Sequence, residues 1–291
     1  MKIIFYTLFL FADCNSKSPN VATSPTIYFG NPVSVTISGY TGDIMEPFLS
    51  ADDDKLFFNN SNDPAVNTDI HWATRVNDSL FRYEGIVTGI NTDSLEGVAS
   101  MDANDDLYFI SNRSYPQTLS TIYRATFHNG NGGNISLIRG VSKLRAGWIN
   151  FDVDVNTKGT RLYFTDGKFD QNGGPHEANI AIAQKVNDTT FKRLPNSDEI
   201  LQNINTSALE YAACISTDEL ELYFTRVVGT VSYPQIFVAT RNDTSQSFGM
   251  PQPISVLNGF VEAPALSPSG NRLYFHKRID NHFRLFMIRK E

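Results

Sequence analysis

The chain has 291 residues and a formal net charge of −7 at pH 7. Its charged residues make up 19% of the sequence and form no basic run, which argues against a nucleic-acid partner. Asn, Ser, Thr and Gly are plentiful, and this composition is typical of short strands joined by polar turns. We therefore expect an all-β protein, and propellers and barrels of this length commonly form a single domain.

The first 14 residues, MKIIFYTLFLFADC, have the pattern of an export signal. Their apolar run of about ten residues is too short to cross a hydrocarbon core of roughly 30 Å, so a transmembrane anchor is not expected. The FADC ending resembles the lipobox of bacterial lipoproteins, although Asp13 stands where that motif has a small residue. The resemblance implies a lipid on Cys14, and cleavage by an ordinary signal peptidase is the alternative.

Residues 15–26, NSKSPNVATSPT, are polar and are expected to form a flexible tether. The expected location is the periplasm or the outer membrane, with the N-terminal lipid as the membrane contact. A secreted soluble protein is the alternative.

A Leu-aromatic-Phe motif recurs through the rest of the chain. Its leucines are 51, 55, 60 and 51 residues apart, at Leu56, Leu107, Leu162, Leu222 and Leu273. This spacing is that of a propeller blade. Each copy is followed by further strand patterns, such as DIHWATR from Asp69 and QIFVATR from Gln235, which gives about four strands per copy. Such sheets are apolar on both faces, and radial stacking of the copies buries those faces.

The fifth copy ends after its third strand. The segment FGNPVSVTISG from Phe29 matches FGMPQPISVLNG from Phe248, which occupies a fourth-strand position. The sequence therefore predicts a single β-propeller over residues 27–291. It has five four-stranded blades, and the N-terminal strand closes the last blade. Six blades are the alternative.

The segments SPSGNRLYF from Ser267 and DDLYFISNR from Asp105 carry a family resemblance. The chain is similar to the TolB-type, WD-repeat-like propellers of bacterial envelopes over roughly residues 27–291. That family includes interaction scaffolds, peptidase-associated propellers and sensory modules, so the resemblance implies a fold and says little about activity. TolB itself has six blades and an N-terminal domain without a counterpart here, so its Pal and Tol partners are not carried over.

The familiar catalytic and cofactor motifs are missing from the sequence. There is no nucleophile elbow, P-loop or HExxH motif, and HEANI at His176 lacks the second histidine. The two cysteines, Cys14 and Cys214, form neither a disulfide framework nor a paired metal motif. We expect no cofactor and no metal, and a core position for Cys214.

Acidic residues precede the turn of each inner strand at similar distances. Because strand side chains alternate in direction, Glu46, Glu96, Asp152 and Glu210 are predicted to share one facing at a mouth of the central channel. Loops between second and third strands open on the same face and also bring Asp166 and His176 there. Trp148 is expected to stack on a ligand. The candidate ligand-binding residues are Glu46, Glu96, Trp148, Asp152, Glu210, Glu262, Arg113, Arg226 and His276.

Two functions compete for this mouth. Because the acids occur in nearly every copy, capping of the inner strands is the more economical explanation. We therefore expect a monomeric binding or protein-interaction scaffold, not an enzyme, whose partner is an envelope protein, a peptide or a glycan. The alternative is a glycoside hydrolase-like, carbohydrate-active enzyme that uses these carboxylates. An unrepeated acid pair with strongly shifted pKa values would favour the enzyme.

The lipid hypothesis is tested by mass spectrometry of the membrane fraction, which should find a diacylated or triacylated Cys14 as the first residue. Replacement Cys14→Ala should release the protein from membranes, because the lipid is its expected anchor. A soluble mature chain that begins at another residue would contradict the hypothesis.

Overall fold

The computed structural model describes residues 27–63, 66–227 and 233–291. The predicted export signal, Cys14 and the tether lie outside these residues. No helix in the described part of the chain is long and apolar enough to cross a membrane.

The strands form five antiparallel sheet units, numbered here in chain order, after two short strands, β1 (Val33–Ser34) and β2 (Thr36–Ser38). Unit 1 consists of β3 (Met45–Leu49), β4 (Lys55–Asn59), β5 (Ile70–Asn77) and β6 (Leu80–Ile86). Unit 2 consists of β7 (Glu96–Met101), β8 (Asp106–Ser111), the one-turn helix α1 (Tyr115–Thr118), β9 (Ile122–His128) and β10 (Asn131–Leu137).

Unit 3 consists of β11 (Trp148–Val155), β12 (Arg161–Asp170), β13 (Gly173–Asn187) and β14 (Thr190–Arg193). The helix α2 (Ser197–Ile200) follows and leads to unit 4. This unit consists of β15 (Leu209–Ile215), β16 (Glu221–Val227), β17 (Gln235–Thr240) and β18 (Gln252–Pro253). Unit 5 consists of β19 (Val261–Leu266), β20 (Arg272–Ile279) and β21 (His282–Arg289). Units 3 and 4 are joined by one parallel pair, Ala178 with Leu209.

The N-terminal strands fasten the last unit to the first. Strand β1 pairs antiparallel with β21, with Val33 opposite Met287, and Phe29 forms a further bridge to Lys290. The predicted fourth strand of the last unit is thereby confirmed. Strand β2 then crosses to unit 1 and pairs in parallel with β6, an arrangement that the repeat did not predict.

The first strands of the units make contact in a cycle. Strand β3 contacts β7, β7 contacts β11, β11 contacts β15, β15 contacts β19, and β19 returns to β3. The first strands therefore surround a central channel, and the later strands lie progressively outward. This is the radial arrangement of a β-propeller.

The core lies between neighbouring units. Leu56, Phe57 and Phe58 of the repeated motif are 0, 0 and 1% exposed, because each sheet is covered on both faces. One apolar cluster joins Leu56 of unit 1 to Tyr274 of unit 5 across the closing seam. Cys214 is buried in a neighbouring cluster, as predicted.

Each first strand contains a β-bulge. The ladder register shifts within β3, β7, β11, β15 and β19, and non-glycine residues in four of them adopt left-handed backbone dihedrals. These are Glu46 (φ 48°), Val98 (φ 53°), Ala212 (φ 51°) and Ala263 (φ 56°). In a bulge, two residues of one strand lie opposite a single residue of the partner strand, and the extra residue changes which side chains face the channel. Simple alternation along these strands is therefore broken.

A chain that begins at residue 40 should lose much of its stability, because it lacks β1 and β2. Val35 and Ile37 are buried in the seam, and burying two such side chains stabilises a fold by about 3 to 6 kcal/mol. That loss is comparable with the whole stability of many domains. Thermal unfolding should show it, with a chain that begins at residue 27 as the control. Equal melting temperatures would contradict the closure.

Candidate functional site

Two of the predicted acids belong to buried ion pairs that recur between units. Glu96 accepts from the Thr92 backbone N–H at 2.7 Å and lies 3.0 Å from Arg113 Nη2. Glu210 accepts from the Thr206 N–H at 3.0 Å and from Arg226 Nε at 2.8 Å. We call Glu96–Arg113 and Glu210–Arg226 the anchor pairs.

The anchor pairs hold each inner strand to the connection before it. Arg226 Nη2 donates to the Ile204 carbonyl at 2.7 Å, and Arg113 Nη2 donates to the Ile90 carbonyl. Unit 3 uses a related arrangement, in which Arg193 donates to both oxygens of Asp166 at 2.8 and 2.6 Å. Glu96, Arg113, Glu210 and Arg226, which were predicted to line a ligand site, are thus engaged in these pairs.

Glu46 and Asp152 face the central channel. They line a cavity of about 30 Å³ together with Asp154 and small apolar side chains. Both stand three residues before the end of their first strand, where the other units have Val98, Ala212 and Ala263. The channel acids are therefore not repeated, and the predicted common facing of all four acids is wrong because the bulges shift the register.

Glu262 lies beside them, and its hydrogen-bond partners among the described residues are Tyr211 and His276 rather than an arginine. It pairs across the ladder with His276, in the position that Arg226 occupies opposite Glu210. Glu262 Oε1 is 2.9 Å from His276 Nε2, and its Oε2 accepts from the Tyr211 hydroxyl at 2.6 Å. Glu46, Asp152 and Glu262 together are called the carboxyl cluster below.

The tautomer of His276 follows from its partners. The Glu46 backbone N–H donates to His276 Nδ1 at 3.1 Å, so Nδ1 acts as an acceptor. Nε2 must then carry the proton and donate it to Glu262. His276 is completely buried, and it links the backbone of one acid to the carboxylate of another.

Burial raises the pKa of two of the three carboxyls. Burial, followed by the charges of Asp152 and Glu262, raises the pKa of Glu46 well above its ordinary value, against a hydrogen bond from Asn62. Burial raises the pKa of Asp152 to about 7, opposed by the Ala212 N–H. Glu262 accepts two hydrogen bonds, from the Tyr211 hydroxyl and from His276.

Glu46, Glu262 and His276 could in principle surround a metal ion, since one ligand atom of each lies within 4.8 Å of the others. A metal at His276 Nε2 would displace the proton to Nδ1, where it would face the Glu46 N–H. Two donors would then oppose each other. The residues present therefore suit the holding and exchange of protons better than the binding of a metal.

Aromatic side chains border the cluster on one side. Phe151 packs on Phe169 and Tyr211 with ring centroids 5.6 and 5.9 Å apart, and Phe283 packs 5.7 Å from Phe260. These five rings, which we call the aromatic crescent, are half-buried. They run from unit 3 to unit 5, joined through the contact of Tyr211 with Glu262 and of His276 with Phe283.

The remaining predicted residues lie outside this group. Trp148 is half-buried, but the Lys143 ammonium lies 3.4 Å from its ring centroid and covers one face. His176 is exposed on the β12–β13 hairpin, 3.2 Å from Asp170. The sequence reasoning missed Tyr211 and Asn62, for which it had no signal except that Tyr211 follows the repeated acid Glu210.

Comparison with known proteins adds information on the fold. No protein-family model and no curated protein sequence matches the chain. A solved structure of TolB from Acinetobacter baumannii is similar at 14% identity and a TM-score of 0.50, over 86% of this chain. The chain spans only 55% of that TolB chain.

Two glycoside hydrolases are similar over nearly their whole length. One, a family 117 enzyme produced by the marine bacterium Zobellia galactanivorans, has 12% identity and a TM-score of 0.55, over 91% of this chain and 90% of the other. The second has 11% identity and a TM-score of 0.61, over 91% of both chains. At these identities, the similarity establishes an all-β propeller fold and nothing further.

The expectation that the protein is not an enzyme is corrected, because the fold on which it was based is also the fold of glycoside hydrolases. It rested on the repeat and on the TolB resemblance. The same fold is shared with glycoside hydrolases, which match more of their own length than TolB does. Of the four acids on which the capping explanation was based, Glu46 and Asp152 line the channel cavity and are not repeated in the other units, whereas Glu96 and Glu210 form the anchor pairs.

Asp154 lies deeper in the channel and gives the protein a testable pH dependence. It accepts from Ser100 Oγ and from the Ile215 N–H, both at 2.8 Å, and burial raises its pKa to about 7. In the unfolded chain the carboxyl ionises near its ordinary pKa, about 4. The stabilisation from the neutral form is therefore complete below pH 4 and is lost as the pH rises through 7.

Replacement Asp154→Asn should therefore raise the free energy of unfolding relative to wild type more at pH 8 than at pH 4. The difference between the two pH values should be at most about 4 kcal/mol. Denaturant unfolding at pH 4, 6 and 8 measures this difference. Asp93→Asn, at an exposed residue before β7, is the control. The prediction would be contradicted if the difference in unfolding free energy between wild type and the Asp154→Asn variant did not change with pH.

Proposed function

We propose that the protein is a glycoside hydrolase whose catalytic carboxyls are Glu46 and Glu262, at the mouth of a five-bladed propeller. The observation that carries this proposal is a buried carboxyl cluster at the channel mouth, in which Glu46 is not repeated in the other units and Glu262 faces His276 where its counterpart Glu210 faces an arginine. One oxygen of Glu46 lies within 4.8 Å of one of Glu262. Pairs of acids with separated pKa values are the basis of general acid–base chemistry in such enzymes.

The departure from the repeat supports a functional role for this pair. The anchor pair Glu210–Arg226 neutralises its buried acid with a guanidinium, whereas Glu262 has a neutral His276 in the corresponding position. A buried carboxyl without a cationic partner costs stability. Such a cost is expected at catalytic sites rather than in structural networks.

The chemistry follows from the surroundings of the two acids. Burial and the neighbouring carboxylates raise the pKa of Glu46, which favours its protonated form, and this form can donate a proton to a glycosidic oxygen as the general acid. The negative charge of Asp152, once it ionises, raises the pKa of Glu46 further and keeps the proton in place. Glu262 supplies the charged carboxylate that the oxocarbenium-like transition state requires.

The aromatic crescent indicates where the substrate binds. Half-buried aromatic rings beside a few fixed polar groups are the usual lining of a ligand site, and their faces pack well on the C–H groups of sugars. The channel cavity of about 30 Å³ is far smaller than the roughly 300 Å³ of the smallest typical ligand pockets. The sugar ring therefore binds above the cluster, at the mouth.

The proposed glycan substrate fits an envelope location. We retain export, a lipid at Cys14 and a monomeric propeller of five blades as parts of the proposal. Extracellular glycans would then be accessible at the open mouth without transport of the substrate into the cell.

The proposal is tested on aryl glycosides of the common pentoses and hexoses in both anomeric forms, and on plant and marine polysaccharides. Wild type should hydrolyse at least one of them. Glu46→Gln and Glu262→Gln should each lower kcat by about 10²-fold or more, since general acid–base groups contribute at least this much.

Glu177→Gln, a replacement on the exposed β12–β13 hairpin, is the matched control and should leave the rate unchanged. Circular dichroism should confirm that the variants fold. The proposal would be wrong if folded wild type hydrolyses none of these glycosides, or if both cluster variants keep the wild-type rate.

A further inference from the structure

We propose that Asn62 is a positioning residue of this site, which holds the Glu46 carboxyl in one orientation through a hydrogen bond to Oε1. This inference rests on the proposed function, because it concerns the acid of that reaction, and it gives Asn62 a role that the proposed function does not. The hydrogen bonds that lead from the Val98 backbone through Asn59 and Asn62 to Glu46 are called the amide chain below.

The first argument is the direct contact between the amide and the acid. Asn62 Nδ2 donates to Glu46 Oε1 at 2.7 Å. Glu46 is buried whereas Asn62 is exposed, so the amide lies on the solvent side of the carboxyl. A substrate that enters from the mouth therefore meets a carboxyl that the amide already holds.

The second argument is that backbone groups fix the orientation of both amides. The Val98 N–H donates to Asn59 Oδ1 at 3.1 Å, and Asn59 Nδ2 donates to the Ser61 carbonyl at 2.7 Å. An N–H only donates and a carbonyl only accepts, so the Asn59 amide cannot be turned over. Asn59 Nδ2 also donates to Asn62 Oδ1 at 2.8 Å. The Asn62 nitrogen is thus the atom that faces Glu46.

The amide chain begins at a packed contact between two units. Asn59 is completely buried, and a β-carbon at Gly97 of unit 2 would lie only 3.1 Å from its side chain. Close packing on both sides leaves Asn59 little freedom to rotate. Asn62 is therefore oriented by the seam between units 1 and 2 and not only by its own loop.

The third argument concerns which oxygen of a protonated Glu46 carries the proton. Oε1 accepts from Asn62, and the oxygen that bears the proton acts as a donor. The proton of the neutral form is therefore placed on Oε2. A general acid works only when its proton lies within reach of the leaving oxygen, so a fixed position for that proton favours the reaction.

A neutral amide suits this role better than a cation. Asn62 and Arg113 each stand six residues after the leucine of their motif, Leu56 and Leu107. Arg113 lies 3.0 Å from the buried carboxylate of Glu96 and neutralises it. A guanidinium strongly favours the ionised form of an acid, whereas an amide orients the acid without adding a charge.

The titratable groups near Glu46 in the described part of the chain are Asp152 on β11, Tyr211 on β15, Glu262 on β19 and His276 on β20. Burial, followed by the charges of Asp152 and Glu262, raises the pKa of Glu46, and the hydrogen bond from Asn62 opposes this rise. Removal of the amide should therefore raise the pKa of Glu46 further.

Asn62→Ala should lower kcat on the most active substrate of the glycoside panel by about 10-fold or more, with a smaller change in KM, because the acid is no longer held in position. The alkaline limb of the pH profile should move to higher pH, because the pKa of Glu46 rises. Asn62→Asp should have a larger effect than Asn62→Ala. It keeps an oxygen for Asn59 but presents a second carboxyl to Glu46 in place of the donor.

Asn60→Ala is the matched control in the same loop. The Asn60 amide donates to the Asn67 carbonyl at 3.2 Å and accepts from the Asp69 N–H at 2.9 Å, so its removal disturbs the loop without removing a member of the amide chain. This variant should lose stability but keep the wild-type kcat and pH profile. A purely structural role for Asn62 would give the same result for Asn62→Ala.

Carbon NMR of protein labelled at the glutamate carboxyls measures the same contact without turnover, with Glu46→Gln to identify the resonance. Glu46 should titrate at a higher pH in Asn62→Ala than in wild type or Asn60→Ala. The inference would be overturned, and the proposed hydrolase left intact, if an active wild type and Asn62→Ala share the same kcat and pH profile or the same Glu46 titration. Absence of any hydrolysis by wild type would overturn both.

Discussion

Every sheet unit of this protein has two apolar faces, and each face must be covered by a neighbouring unit. The buried Leu-aromatic-Phe motif is the local expression of this constraint, and a closed ring satisfies it without leaving an end. The chain closes its ring with the two N-terminal strands and with charge pairs across the seam. Arg272 of unit 5 contacts both Asp53 and Asp78 of unit 1, and the Tyr274 hydroxyl donates to the Asp78 carbonyl at 2.7 Å.

Within this repeated frame, the candidate site stands where the repeat is broken. The anchor pairs show how a unit stabilises a buried acid, with an arginine on the neighbouring strand. The carboxyl cluster abandons that arrangement and accepts raised pKa values for Glu46 and Asp152. A ring in which the other units are well satisfied can tolerate such a local cost.

The sequence predicted the architecture better than the site, for a physical reason. The motif spacing and the match of Phe29 with Phe248 depend on burial of apolar side chains, which is directly legible in the sequence. The facing of the acids depends on bulges at residues such as Val98 and Ala212, which carry no glycine to reveal a left-handed backbone. Strict alternation therefore grouped Glu96 with Asp152, and only the ladder register separated them.

The carboxyl cluster lies on the seam that closes the ring, so the geometry of the candidate site depends on the same contacts that stabilise the fold. The bond from the Glu46 N–H to His276 Nδ1 connects residues 230 positions apart in sequence, from unit 1 to unit 5. Tyr211 of unit 4 and Asp152 of unit 3 complete the surroundings of Glu262 and Glu46. No single unit contains the site. The acids come together only when the last unit meets the first, so the contact that removes the open ends of the fold also assembles the carboxyl cluster.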